Sequence, residues 1–217
     1  MKRQLLGSIA LAGALVFSTT NAHARNFLVT IKNITPNQIF TPILVVAHRP
    51  SLKLITLGEP ARDGIAEVAE GGDTGPLADA LAATGQVGDM QSVGGLLGPG
   101  ESATVEIAAS WRRNRAISLV GMLLPTNDGM VVLNGAQVPR YGKRVLAVRA
   151  YDAGTEFNDQ LCANIPGGGA CGGEGFNPED GEGFVHPHPG IHETGDLTGA
   201  EYDWTDPVAI VTIERAY

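Results

Sequence analysis

The chain has 217 residues, 43% of them hydrophobic, and a formal net charge of −8. An acidic balance of this size argues against nucleic acid as a partner, because phosphates would be repelled.

The first 24 residues read as a secretory signal peptide. "MKRQ" supplies a positive start, "LLGSIALAGALVF" an apolar stretch, and "AHA", ending at Ala24, the small residues a signal peptidase needs. The apolar stretch of 13 residues is short of the ~20 that span a bilayer, which disfavours a retained anchor helix. No later segment is long and apolar enough to be a transmembrane segment after signal cleavage. The mature chain is expected to run as one domain over 25–217, secreted or periplasmic. Without Lys2 and Arg3 its charge falls from −8 to −10.

Along the mature chain, seven runs alternate with period two or are rich in branched residues. They are "NFLVTIKN", "TPILVVAH", "SATVEIAA", "AISLVGMLL", "GMVVLNG", "RVLAVRAY" and "DPVAIVTIERA". Separated by Gly, Pro and Asn, they predict an all-β, antiparallel β-sandwich or barrel. The first and last runs are expected close together in the sheet. Between the second and third, Ile65, Val68 and Ala69, then Leu77 and Leu81, fall at helical spacing. With Pro76 near a helix start and Asp73 or Thr74 as caps, two short helices are expected in a crossover, covering an edge or end of the sandwich.

The segment from Tyr151 to Pro207 differs in kind. It carries twelve Asp or Glu and no Lys or Arg, and it is Gly-rich and poor in branched apolar runs. So long a loop with little regular structure is expected to be functional, mobile, or pinned by a crosslink or an ion. Cys162 and Cys171 lie within it, and in an exported protein they are expected to form a disulfide; two cysteines alone are thin evidence for zinc.

Two acidic turns are candidates for a cation site. "PTNDG" follows the strand "AISLVGMLL" and by itself reads as a hairpin turn. "YDAGTEFND" ends another strand with Asp152, Glu156 and Asp159, offering the oxygens a hard cation such as calcium prefers. These stretches carry a resemblance. "MLLPTNDG" and "RAYDAGTEFND" are similar to the Asp-bearing loop and the Asp-Ala-Gly-Thr-acid run of the spondin N-terminal domain, found in F-spondin and mindin. "TPILVVAH" and "DPVAIVTIERA" resemble that family's first and last core strands. The resemblance implies an antiparallel β-sandwich with a metal ion at one end, Ca2+ held by Asp128, Asp152 and Glu156. It further implies a stand-alone microbial version that acts by binding or adhesion outside the cell. The animal members have Asp where Glu156 stands, and a Trp beside the loop Asp that this chain lacks.

"FVHPHPGIHETGDL" places His186, His188 and His192 among prolines and acids. They are a possible second metal site, or a recognition loop with ordinary histidines. A secreted metalloenzyme using these three histidines is the alternative function. No Gly-x-Ser-x-Gly, His-Glu-x-x-His or phosphate-cradling loop is present, so no catalytic residue is assigned. The expected partner is an extracellular or envelope ligand, whether protein, glycan or lipid surface.

Overall fold

The computed structural model describes residues 24–167, 170–175 and 180–217. The leader expected over residues 1–24 lies, Ala24 apart, outside the described residues. All seven expected runs are strands: β1 (Arg25–Asn33), β3 (Ile43–His48), β5 (Ser102–Ala109), β6 (Ala116–Leu124), β7 (Gly129–Gln137), β8 (Lys143–Asp152) and β10 (Ala209–Arg215). Three more join them: β2 (Ile39–Phe40), β4 (Val87–Val93) and β9 (His186–Pro187). The helices are α1 (Ile65–Gly71), α2 (Gly75–Ala83) and a single turn, α3 (Gly199–Tyr202).

Among the described residues every pairing between the named strands is antiparallel, along the path β4-β3-β6-β7-β8-β10-β1-β5. As expected, the first and last long strands are neighbours, with Val29 opposite Ile213. Strand β8 changes partners midway. Its residues 143–148 pair with β10, and Arg149 to Asp152 pair with β7. A strand shared in this way forms the corner that folds one half of a sheet over the other. The free edges then approach each other, and Asp89 of β4 accepts a hydrogen bond from the Ala108 N–H of β5 at 2.7 Å. The result is a nearly closed, barrel-like sandwich.

The period-two alternation read from the sequence is what fills it. Phe27, Val29 and Ile31 of β1 meet Ile117, Leu119 and Leu123 of β6, and Val211 and Ile213 of β10, in one buried cluster. Strand β6 is buried along its whole length because its other face is covered too. Helices α1 and α2 lay Ile65, Val68, Leu77 and Leu81 on Val46, Val120, Met130 and Val132. The helices therefore cover an outer face of the sheet rather than the edge or end expected. The reason is in the strands: β3, β6 and β7 carry apolar side chains on both faces, and a sheet of that kind needs two covers. Farther along β6, Met122 and Leu124 are covered instead by the long acidic segment, through Ile165, Ile191 and Leu197.

Antiparallel strands sort the loops to two ends. The β6–β7 turn, the end of β8 and β9 lie at one end, which is acidic. The β5–β6 and β7–β8 loops, the start of β1 and the end of β10 lie at the other, where Arg25, Arg112, Arg140 and Arg215 line one hollow and Arg113 and Arg115 a neighbouring one. There the Arg140 guanidinium sits 5.4 Å from the centre of the Trp111 ring.

Candidate metal centre

The strand register assembles the acidic end. Asp152, the last residue of β8, is opposite Gly129 on β7 and opposite His186 on β9. Asp128 precedes Gly129, and its carbonyl accepts the Ala153 N–H at 3.2 Å, so the two aspartates are neighbours across one rung. Gly129 is required by this crowding: a Cβ there would stand 2.5 Å from Thr126 Oγ1 and 2.9 Å from a ring carbon of His188. The β6–β7 turn is closed by Thr126, whose hydroxyl accepts the Gly129 N–H and donates to the Leu123 carbonyl. "PTNDG" is thus a hairpin turn and also the carrier of an inward carboxylate.

Asp128 and Asp152 are both 0% exposed and Glu156 1%. Asp128 Oδ2 accepts from the Thr155 N–H at 2.8 Å, the Glu156 N–H at 3.1 Å and the Thr155 hydroxyl at 3.3 Å. Its other oxygen, Oδ1, is buried with no hydrogen-bond partner. Asp152 accepts from the Gly154 N–H and from Asn158 Nδ2, each at 2.8 Å. The backbone of "AGTE" is thereby wrapped around two carboxylates.

A strap formed by residues 180–188 closes over this turn. Glu156 bridges to Asp180, and the Gly183 N–H donates to the Gly154 carbonyl at 2.8 Å. Gly154 has φ +67°, and a Cβ on it would lie 2.2 Å from the Phe184 carbonyl oxygen, so only glycine allows the strap to dock. The strap brings His186 Nε2 to 3.5 Å from both Asp152 Oδ1 and Glu182 Oε2. Among the described residues, Asp152, Glu182 and His186 are the one set of metal-ligating side chains whose ligand atoms lie within 4.8 Å of one another.

Crowded charge shapes the titration. Burial, and then the Asp152 charge, push the Asp128 carboxyl up to about 7, although the Glu156 and Thr155 N–H groups oppose the rise. Glu182 adds to it. Burial likewise raises Asp152, against the hydrogen bonds from Asn158 and Gly154 and the nearby His186. For His186 burial acts downward, but the Pro187 carbonyl and the Asp152 and Glu182 carboxylates outweigh it, and the imidazole is raised. Glu70, at the end of α1, is raised by burial despite a hydrogen bond from Thr155.

The three histidines do not act as one set. His188 packs its ring on Trp204, centroids 4.9 Å apart, and takes the Gly190 N–H on Nδ1. His192 is exposed, and its N–H donates to Gln160 Oε1. Asp159 is a clip: it accepts from Asn127 Nδ2 at 3.0 Å and from the Leu161 N–H at 2.9 Å. Cys162 and Cys171 form the expected disulfide. In the sequence Glu182 is marked only by its place four residues before His186.

Buried, mutually repelling carboxylates with a spare buried oxygen and a nearby imidazole are a donor set that can hold a divalent cation. Among the described residues, no helix is long and apolar enough to cross a membrane. Comparison with curated proteins found no match. The family model of the spondin N-terminal domain, Spondin_N, matches residues 15–159, a span that includes Asp128, Asp152 and Glu156 and stops short of the strap. With two thirds of its length matched, and with an extracellular-type disulfide in keeping, the chain belongs to the spondin N-terminal domain family.

Proposed function

We propose that this protein is an exported binding module of the spondin type, whose acidic end holds a divalent cation on the loops bearing Asp128, Asp152 and Glu156. Calcium is the choice a set of carboxylate oxygens favours. The supporting observation is Asp128: a fully buried carboxylate with one saturated oxygen and one partnerless oxygen, set beside a second buried aspartate. A cation there supplies the missing partner and cancels the repulsion. It also ties the β6–β7 turn to the end of β8, and so stiffens the loops as a recognition surface for an extracellular or envelope ligand. The role is structural. Carboxylates drawn onto a cation are poorly disposed to move protons, which favours binding over catalysis.

The test is calcium titration of chelator-treated protein, followed by heat unfolding. An ion bound only by the folded state stabilises by RT ln(1 + [L]/Kd), so the melting temperature is expected to climb with calcium. A melting temperature indifferent to chelator and to calcium would end this reading. A pull-down against envelope fractions, with and without calcium, then asks whether the ion governs partner binding.

A further inference from the structure

Resting on the reading that the acidic end holds a cation, we propose that the strap adds His186 and Glu182 as ligands, making this a mixed nitrogen–oxygen site that prefers a first-row divalent transition metal to calcium. The strap lies beyond residues 15–159, the span that the family model matches.

His186 Nδ1 is 2.9 Å from the Pro187 carbonyl oxygen. A carbonyl oxygen only accepts, so Nδ1 carries the hydrogen, and in the neutral imidazole Nε2 bears the lone pair. That nitrogen has no hydrogen-bond partner, and it faces carboxylate oxygens of Asp152 and Glu182 at 3.5 Å. A lone pair aimed at two anionic oxygens is repulsive unless a positive charge stands among them. A backbone carbonyl holding one imidazole N–H while the other nitrogen points at carboxylates is the usual arrangement of a metal-ligating histidine. The separation suits it as well, since ligands about 2.1 Å from a tetrahedral ion lie about 3.4 Å apart. Asp128 Oδ1 is an independent second observation: another buried ligand atom without a partner, on a residue that feels the charges of both Asp152 and Glu182.

The nitrogen decides the ion. Calcium takes oxygens almost exclusively, whereas imidazole suits zinc, iron and nickel, and a carboxylate-rich set with one imidazole also accepts manganese and cobalt. The competing occupant is a proton, which would leave an imidazolium bridging two carboxylates.

The experiment compares metal-free protein with its His186→Ala, Glu182→Gln, His192→Ala and Asp128→Asn variants. Calcium, zinc and cobalt(II) are titrated by calorimetry, and cobalt also by visible absorption. Zinc is expected to bind at one equivalent, at least about tenfold tighter than calcium. His186→Ala is expected to weaken zinc by about 10- to 100-fold and to alter the cobalt spectrum, while changing calcium affinity little. Glu182→Gln, a change at a more exposed side chain, should lower zinc affinity in the same direction; His192→Ala should leave it alone, and Asp128→Asn should weaken both ions. Zinc binding that survives His186→Ala, or that His192→Ala removes, overturns the proposal, as does calcium binding without any zinc preference. These results leave the underlying cation reading standing; failure of every cation to bind removes both.

Discussion

Replacing Asp128 by Asn should change stability in opposite directions with and without a bound cation. In the metal-free protein the Asp128 carboxyl is raised from its ordinary 3.8 to about 7 by burial and by Asp152. A raised carboxyl destabilises the fold only where the group must ionise: the cost is absent below the unfolded value, grows as pH rises, and is complete above about 7. At 1.36 kcal/mol per pH unit the rise corresponds to on the order of 4 kcal/mol. Asn removes the charge and keeps an oxygen for the Thr155 and Glu156 N–H groups. Its amide replaces the partnerless Oδ1 and removes the repulsion from the Asp152 charge. In chelator at about pH 8, Asp128→Asn should therefore be more stable than the parent by an appreciable part of that amount, and the advantage should vanish toward about pH 4. With saturating cation the order should reverse, because the variant lacks a ligand. Urea unfolding of both proteins, with and without cation, gives all four stabilities. A variant less stable than the parent in chelator at about pH 8 would refute the reasoning, since Asp128 would then not be a charge held at a cost.

Other expectations concern the scaffold around that end and the far end. Gly154→Ala places a Cβ against the Phe184 carbonyl in a left-handed conformation, and should cost about 2–4 kcal/mol in denaturant unfolding. It should also weaken cation binding, because the strap cannot seat; unchanged stability would count against the close approach. Cys162→Ser with Cys171→Ser opens a loop with a sequence separation of 9, worth about 2–3 kcal/mol by chain entropy, and should lower the melting temperature without altering the sheet's circular dichroism. His48 is buried at the end of β3, 2.7 Å from Ser118 Oγ through Nε2 and 2.8 Å from the Arg49 carbonyl through Nδ1. Burial lowers its pKa, with the Arg49 carbonyl opposing and Lys53 assisting. A lowered histidine stabilises the fold fully above about 6.5 and loses that contribution as pH falls below it. NMR titration should find His48 below the ordinary histidine value, and His48→Asn should flatten the decline in stability on mild acidification.

Much of this was legible in the chain, for physical reasons. The seven long strands announced themselves because each has one face, or both, in an apolar core, and period two is the mark of that. Strand β4, "VGDMQSV", gave no such mark: it lies at an end of the strand path, mostly half-exposed, and is held chiefly by ladder bonds to β3. The partner change within β8 was invisible as well, since "RVLAVRAY" reads the same whether it serves one sheet or joins two. At the acidic end, Asp128 and Asp152 stood out through the turn residues beside them and through the family resemblance. Glu182 did not, because its nearness to Asp152 depends on Gly154 letting a distant strap descend onto the turn. The three histidines looked like a set on spacing alone, yet tertiary packing sends His188 to Trp204 and leaves His192 in solvent.

The separation of charge between the two ends changes how the net value of −8 should be understood. Strand β8, from Lys143 to Asp152, spans about 30 Å at roughly 3.3 Å per residue. Screening at physiological salt extends only about 8 Å, so each end presents its own field and neither senses the average. An anionic surface met from the Arg112–Arg140 side encounters local attraction, while the same surface met from the Asp152 side encounters repulsion. At an anionic surface such a separation of charge favours an approach led by the arginine end, with the acidic end and its strap turned toward the solution.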